Sequence, residues 1–416
     1  MRIFFSGIGG VGIGPLAQIA IDAGYDVVGS DAARGLMIDK LEAQGVPVSS
    51  DQSGKFLEHS HHVLTIDWFV YTSALPDDHP ELVMAKEFGI KTAKRDELLA
   101  HILAEKNLKL LAVAGTHGKT SATGMLVWAL KQLGVPVSYS IGTTLSWGPS
   151  GAYDNRSEYF VYECDEFDRN MLHFHPHAAI VTSLDYDHPD TYPTPADYFA
   201  AFSAFIRQSD HTILWRHDSK QLDSIGDATW NLKDDEQLPL RLPGNHTRRN
   251  ATLVAKLLEY VGLGDAAKNI ATLESFPGTN RRFEKLGQNL YTDYGHHPVE
   301  IVATLQMARE LSKHVVLVYQ PHQNVRQHEV KDQYISCMDA AEHIYWLPTY
   351  LSREDDKLAI LSPRELTTKL TNKNITYCDL NDELWSHIQI ELHKGRLVLC
   401  MGAGSIDGWL REKLAT

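Results

Sequence analysis

The sequence predicts an α/β protein of three domains, each built on a mostly parallel sheet. Three observations predict it. Short apolar runs alternate with helix-length amphipathic stretches almost throughout, the pattern of parallel strands covered by helices. Two glycine-rich loops each follow a strand-like run and open a helix-like one. The chain has 416 residues, more than one ordinary core organises at roughly 100–200 residues per domain. Boundaries are expected near 107 and 277. They divide the chain into a Rossmann-like domain (1–107), a central P-loop ATPase-like domain (108–276) and a C-terminal Rossmann-like domain (277–416).

In the first third, Arg2 to Ser6 reads as a buried strand and Pro15 to Ala23 as a helix, with Gly24 where a helix should stop. Asp26 to Ser30 is the next strand and Trp68 to Ser73 another. The polar Lys106 and Asn107 suit a linker. A second cycle starts at Lys109: strand, loop, then a helix from Ser121 to Leu133 closed by Gly134. Strands follow at Tyr159 to Glu163, Ala178 to Leu184 and His211 to Trp215, with helices at Pro195 to Arg207 and Asn250 to Val261. Asp218 to Gln237 is polar and reads as surface loops. In the last third, strands are expected at Leu290 to Tyr294, Val315 to Tyr319, Ile344 to Leu347 and Leu397 to Met401. The helices between them are Val299 to Ser312, Lys331 to Glu342, Pro363 to Leu370 and Asp382 to His393.

Composition narrows the function classes. Hydrophobic residues make up 43%, which excludes a disordered or fibrous chain. Lys plus Arg number 39 against 53 for Asp plus Glu, a net charge of −14, so a nucleic-acid coat is not the main business. Cys164, Cys337, Cys378 and Cys400 form no CxxC pair, so neither a disulfide framework nor a thiolate metal site is indicated. That fits a reducing cytoplasm. The opening MRIFFSGIGG has no apolar signal core, and no apolar run approaches the roughly 18 residues of a membrane span. A cytoplasmic protein without membrane or nucleic-acid partners is expected.

The first loop is Gly7-Ile8-Gly9-Gly10-Val11-Gly12, a GxGxxG after a strand, and Asp31 ends the next strand. Backbone amides and a helix N-terminus would there face a pyrophosphate. That physics selects a diphosphate: a dinucleotide or a UDP-linked sugar satisfies the same donors. The competing reading is a merely tight strand–helix turn. The second loop is Gly115-Thr116-His117-Gly118-Lys119-Thr120. Val113 stands where the full P-loop pattern has glycine, so this is a shortened variant. Its working parts are present: amides around Gly118 for phosphate, Lys119 for β/γ oxygens, and the Thr120 hydroxyl for Mg²⁺. Binding of ATP or GTP is expected; the alternative is a flexible surface loop. A dehydrogenase needs only the first loop and a simple ATPase only the second. A ligase that joins a nucleotide-bearing substrate to something else needs both.

Glu163 ends the strand YFVYE, and the strand AAIVTSL runs into DYDHPD. Glu163 and His188 should thus project to the edge that carries Thr120, as further Mg²⁺ ligands. Acidic loops elsewhere are usually only solvated. Two histidine tracts, His59, His61 and His62, and His173, His175 and His177, lack companion ligands at metal spacing and read as surface or structural.

Ten segments in order then carry a resemblance. They are GIGGVGIGPLA, YTSALPDDHPEL with KRDELLA, AGTHGKTSATGML, ECDEFD, DYDHPDTY, LPGNHTRRNAT, FPGTNRRFEKLG, TDYGHHPVE, YQPHQNVR and MGAGSI. Together the chain resembles the Mur ligases, ATP-dependent amide-forming enzymes of bacterial peptidoglycan synthesis. The likeness is strongest to members that join L-alanine to UDP-N-acetylmuramate through an acyl phosphate, and to those that reattach a preformed peptide in cell-wall recycling. A non-catalytic nucleotide-sugar-binding protein on the same fold is the reading of another class.

The resemblance implies that the first domain holds the UDP portion, the second ATP, and the third the amino acid. It implies UDP-substrate contacts from Gly7, Gly9, Gly10, Val11, Gly12, Asp31 and Ser73. ATP would meet Gly115, Thr116, His117, Gly118, Lys119 and Thr120, with His246 and Asn250 by the adenine, Arg282 by the terminal phosphates and Asp293 by the ribose. Thr120, Glu163 and His188 would hold Mg²⁺. His296 and Arg326 would face the reacting carboxylate and the incoming amino acid, in a monomer or homodimer. Three departures bear on this. Gln323 stands where the family's QPHR motif has arginine, which removes a planar carboxylate-binding fork. Thr247 follows His246 where an asparagine is common. No lysine lies between Arg169 and Lys220 to supply the carbamylated residue of many relatives.

Overall fold

The computed structural model describes all residues except Ser73, Ala74, Pro189, Asp190, Ser224, Arg353, Asp356 and Thr416. The Ser73 expectation therefore lies outside the described residues. The described residues form three sheets, and the chain divides into two compact units. The first unit comprises Met1–Gln237 and Ala251–Phe276, and the second Leu238–Asn250 and Pro277–Thr416. Among the described residues no helix is long and apolar enough to cross a membrane.

The first unit holds two sheets. One is five-stranded: β1 (Arg2–Ser6), β2 (Asp26–Ser30), β3 (Val48–Ser49), β4 (Trp68–Tyr71) and β5 (Lys91–Lys94), in the order β3-β2-β1-β4-β5 and parallel throughout. β1 is central, so its Ile3, Phe4 and Phe5 are fully buried from both faces. The helix Ile13–Asp22 follows it and ends as expected at Gly24, whose φ of 88° is a left-handed position that suits glycine.

The other sheet comprises β6 (Lys109–Ala114), β7 (Val137–Ser140), β8 (Gly151–Ala152), β9 (Tyr159–Glu163), β10 (Ala178–Val181), β11 (Thr212–Trp215) and β12 (Thr229–Leu232). Its order is β12-β11-β10-β6-β9-β7-β8, parallel except for the β7–β8 pair. β6 lies between β9 and β10, so the loop after it opens among the C-terminal ends of its neighbours, where α/β sheets bind ligands. β12 corrects the expectation of irregular loops over 218–237. In this edge strand only Leu232 is buried, so it meets too little core to announce itself.

The two sheets of this unit share one apolar cluster. It includes Ile3, Phe5 and Leu103 from the first sheet's layers and Ala112, Phe160 and Val181 from the second's. Gly151 in β8 lies against the helix Ile13–Asp22. A Cβ there would stand 2.9 Å from the Pro15 side chain and 3.3 Å from that of Ile19. The start of the helix Arg95–Glu105 is tied to the second sheet twice. Tyr162 donates its hydroxyl to Asp96, and Lys94 pairs with Asp168.

The second unit carries β13 (Glu284–Gly287), β14 (Leu290–Asp293), β15 (Val315–Tyr319), β16 (His343–Trp346), β17 (Ile375–Tyr377) and β18 (Leu397–Met401). Their order is β13-β14-β18-β15-β16-β17, with only the β13–β14 hairpin antiparallel. The helix expected at Lys331 to Glu342 is not formed. Instead a helix spans Asn324–Val330, followed by a single 3₁₀ turn at Lys331–Gln333 and successive turns bonded i to i+3 at Tyr334–Cys337, Ser336–Asp339 and Met338–Ala341. The apolar period that suggested a helix still serves burial, of Tyr334, Cys337, Met338 and Ala341. The Tyr334 hydroxyl donates to Gln327 at 2.7 Å and lies 2.9 Å from that of Tyr319, which anchors this tighter path.

Candidate active site

The second glycine loop is shaped by how closely β10 approaches it. Gly115 has φ 128°, and a Cβ there would lie 2.4 Å from Thr182 Oγ1 and 2.9 Å from the Thr182 nitrogen. No other residue fits. The next residues are pinned from outside. Thr116 N–H donates to Ser183 O at 3.0 Å, His117 N–H to Ser183 Oγ at 3.0 Å, and Thr182 Oγ1 to His117 O at 2.6 Å. Thr116 Oγ1 donates to Asp185 O at 2.8 Å, with the Tyr198 hydroxyl at 2.7 Å. Gly118, at φ 83°, turns the chain into the helix Lys119–Gln132, whose first amides lack intrahelical acceptors. The expected residues Gly115, Thr116, His117, Gly118, Lys119 and Thr120 thus form one braced turn at a helix N-terminus, the arrangement that grips phosphate.

Around it the expected acid and histidine converge. Thr120 Oγ1 donates to Glu163 Oε1 at 2.8 Å, and Glu163 Oε2 accepts the Gly142 amide at 3.0 Å. Glu166, which sequence reasoning did not single out, accepts from the Lys119 ammonium through both carboxylate oxygens, at 2.9 and 2.7 Å. His188 Nε2 lies 3.7 Å from Glu166 Oε1. Burial works against the Lys119 charge, but the neighbouring Glu166 and Asp165 outweigh it and raise its pKa. The donor set suits Mg²⁺: a hydroxyl and a carboxylate, both hard oxygens, within hydrogen-bond reach of each other. Among the described residues no group of three or more His, Cys, Asp or Glu could hold a metal unaided.

At the first loop, Gly7 takes φ 76° and its amide, with that of Ile8, donates to Ser30 O at 2.8 and 3.0 Å. The Gly9 amide donates to Asp31 Oδ2 at 2.9 Å, and Asp31 Oδ1 accepts the Ala33 amide at 3.0 Å. Asp31 therefore braces the loop. Gly10 packs back on Gly7, Val11 is 74% exposed at the tip, and Gly12 precedes the helix. A Cβ on Gly12 would meet the Arg95 guanidinium at 3.0 Å, so a cation absent from the sequence-based set stands beside this helix N-terminus. Glu81 is buried under the same loop and accepts the Ser6 hydroxyl at 2.6 Å. Both belong to segments quoted above, but nothing in their spacing tells a glycine-loop neighbour from a helix-surface charge.

His246, Asn250, Arg282, Asp293, His296 and Arg326 all fall in the second unit. Asp293, at the end of β14, accepts the amides of Phe283 and Gly295, each at 2.7 Å. Burial raises its pKa to about 6, against the opposing charge of Arg282. The guanidinium of Arg282 lies over the Tyr294 ring at 5.0 Å. His296 Nε2 is 2.7 Å from Arg326 Nη1, and burial pushes its pKa down to about 4. His246 is likewise lowered to about 4 by burial and Arg248, and its Nδ1 is buried without a hydrogen-bond partner. Asn250 is buried, and the Thr247 hydroxyl contacts Met307 Sδ at 3.8 Å. Gln323 has φ 58° and donates its side-chain amide to Ser352 Oγ at 3.4 Å. The histidine tracts lie elsewhere: His61 Nδ1 accepts the Ile66 amide at 3.1 Å, and His177 faces Asp210 at 3.3 Å.

Fold and loop together define a three-sheet α/β protein with a braced glycine turn and a helix N-terminus at the C-terminal edge of its seven-stranded sheet. Comparison with known proteins gives the family. Residues 2–107 match the Mur ligase family catalytic domain, 113–233 the Mur ligase middle domain, and 281–404 the Mur ligase glutamate ligase domain. A UDP-N-acetylmuramate–L-alanine ligase of Carboxydothermus hydrogenoformans is 30% identical, over 98% of this chain and 95% of its own. Another from Nocardioides is 32% identical, over 97% and 94%. Among solved structures, the UDP-N-acetylmuramate–alanine ligase MurC of Thermotoga maritima superposes with a TM-score of 0.77 at 25% identity, covering 100% of this chain and 98% of that one. A murein peptide ligase of Psychrobacter arcticus shares the fold, with a TM-score of 0.66 at 21% identity over 100% and 98%. The chain belongs to the Mur ligase family.

Proposed function

We propose that this chain is an ATP-dependent ligase that joins the carboxylate of UDP-N-acetylmuramate to the amine of L-alanine through an acyl phosphate. The observation that carries this reading is the convergence of Lys119, Thr120, Glu163 and His188 around one braced phosphate loop. A carboxylate is a poor acyl donor because its leaving group would be oxide. Transfer of a phosphoryl group from ATP gives an acyl phosphate that an amine can attack, with phosphate leaving. Charge builds first on the transferring phosphoryl group and then on a tetrahedral oxyanion. Lys119 and Arg282 are the fixed positive charges for the first. Thr120, Glu163 and His188 would hold Mg²⁺, which supplies further charge stabilisation to phosphate oxygens.

The first glycine loop, Gly7 to Gly12 with Asp31, would take the UDP portion. His246 and Asn250 would lie by the adenine and Asp293 by the ribose. His296, neutral because it is buried, and Arg326 would face the carboxylate and the incoming amino acid. Gln323 favours a second reading. Its amide is spent on Ser352 and offers no guanidinium fork to a small amino acid's carboxylate, so a preformed peptide is the alternative amine. Phosphate release with ATP, Mg²⁺ and UDP-N-acetylmuramate, measured with L-alanine and in parallel with murein tripeptide, separates the two. Release with L-alanine alone is expected. Release with neither overturns both.

A further inference from the structure

An ammonium has three donors and no acceptor. Those of Lys119 are already directed at Gly115 O (2.7 Å), Thr116 O (3.3 Å) and both carboxylate oxygens of Glu166. A lysine that grips β- and γ-phosphate oxygens must first release acceptors. The two loop carbonyls move only with the loop, which Thr182 and Ser183 pin. Glu166 is the exchangeable partner, and it matches what replaces it: two anionic oxygens meeting one ammonium.

We propose that Glu166 is a positioning residue that stands in for the terminal phosphoryl group, holding the Lys119 side chain poised until a nucleoside triphosphate displaces it. The inference rests on reading the Gly115–Thr120 loop as the ATP site. Glu166 cannot retreat into water. Its side chain is 1% exposed, and its carbonyl accepts the Tyr192 hydroxyl at 2.6 Å and the Arg169 amide at 3.0 Å, which fixes the backbone. After the exchange its carboxylate stays beside the phosphoryl charge, with His188 Nε2 3.7 Å from Oε1. Triphosphate binding is therefore weakened by the exchange, and a diphosphate, which brings no γ-phosphoryl group, is weakened less.

Titration calorimetry of the full chain with Mg²⁺ and a non-hydrolysable ATP analogue, with ADP in parallel, tests this. Glu166→Gln should bind the triphosphate about fivefold or more tightly than the wild type, with ADP changed less than about twofold. Its kcat should fall while its KM for ATP also falls, a split that a merely structural role would not give. Unchanged or weaker triphosphate binding, at an unchanged melting temperature, overturns the proposal. Should Glu166→Gln fail to fold, Glu166→Asp keeps the charge on a shorter stem. It should move triphosphate affinity the same way by less, and no gain there overturns the proposal equally. A wild type that binds no triphosphate overturns the reading of the loop and this inference with it, whereas a wild type that binds without gain in either variant overturns this inference alone.

Discussion

Replacing Lys119 by alanine removes the cation proposed to grip phosphate and also strands Glu166, whose side chain is buried. Phosphate release should fall about 100-fold or more. Urea unfolding should lose about 3 kcal/mol, because a broken buried pair leaves one charge uncompensated. A Lys119→Met, Glu166→Gln double variant should recover most of that stability and none of the activity; recovery of neither would mean that the pair is not what stabilises the loop. These residues show where sequence reading reached and where it stopped. Glu163 was legible because a carboxylate at a strand end beside a phosphate loop has a direct chemical use, and it does receive the Thr120 hydroxyl. Glu166, three positions on, was not, since only the backbone path after β9 decides which acid of ECDEFD meets Lys119. Buried titratable groups give a pH signature as well. His246 and His296 sit at about 4 in the folded chain against the usual 6.5, so the unfolded chain binds more protons between those values. Stability then rises with pH through that window and is lost as pH falls from 6.5 toward 4, by about 3 kcal/mol for each histidine. Asp293, raised to about 6 from 3.8, binds its proton more readily when folded and opposes the trend between those values. Urea midpoints of the second unit should therefore be lower at pH 5 than at pH 7. His246→Gln should flatten the difference; an unchanged slope would assign the loss to other groups.

At the scale of elements, the glycines separate two kinds of constraint. Gly24 and Gly115 both have positive φ, but nothing lies within 4 Å of a Cβ at Gly24, whereas at Gly115 it would strike Thr182. Gly24→Ala should cost about 1–2 kcal/mol, the strain of a left-handed alanine. Gly115→Ala adds overpacking of about 1–3 kcal/mol to that strain and displaces the phosphate loop. Its triphosphate binding should disappear while Gly24→Ala binds normally, a contrast that calorimetry and thermal melts would read. The strands that were legible, such as β1, β6, β9 and β15, are those buried on both faces, where near-continuous apolar runs mark them. The short outer strands β3, β5, β12 and β17 were not, because they run only two to four residues and each buries little of its surface. The 331–342 segment failed for a different reason. Side-chain period is shared by a helix and by a run of i to i+3 turns, and only the anchoring of Tyr334 by Gln327 and Tyr319 selects the turns.

For the whole molecule, the question is whether the first two sheets are separable. The sequence suggests a break near 107, yet the apolar cluster runs without interruption from Ile3 and Leu103 into Phe160 and Val181. Polar ties repeat the join. The Tyr162 hydroxyl is buried and donates to Asp96, Lys94 pairs with Asp168, and Gly151 is small enough to let Pro15 and Ile19 cover β8. Cutting at 107 would expose the outward face of that cluster and leave the Tyr162 hydroxyl without its acceptor, at about 1–3 kcal/mol for the hydroxyl alone. The apolar area uncovered adds roughly 25 cal/mol for each Å². Since a domain's whole stability is only about 5–15 kcal/mol, residues 108–276 expressed alone should not form a cooperative unit. They should melt broadly, bind a hydrophobic dye and fail to bind the ATP analogue. A sharp melt near the temperature of the full chain would instead make the central sheet an autonomous domain. The conservative form of the test keeps the chain whole. Gly151→Leu wedges the joint open, and it should lower stability and triphosphate affinity together, although the atoms nearest a Cβ there belong to Pro15 and Ile19. If it lowers stability alone, the first sheet supports the fold of the ATP site's sheet but not the geometry of the loop.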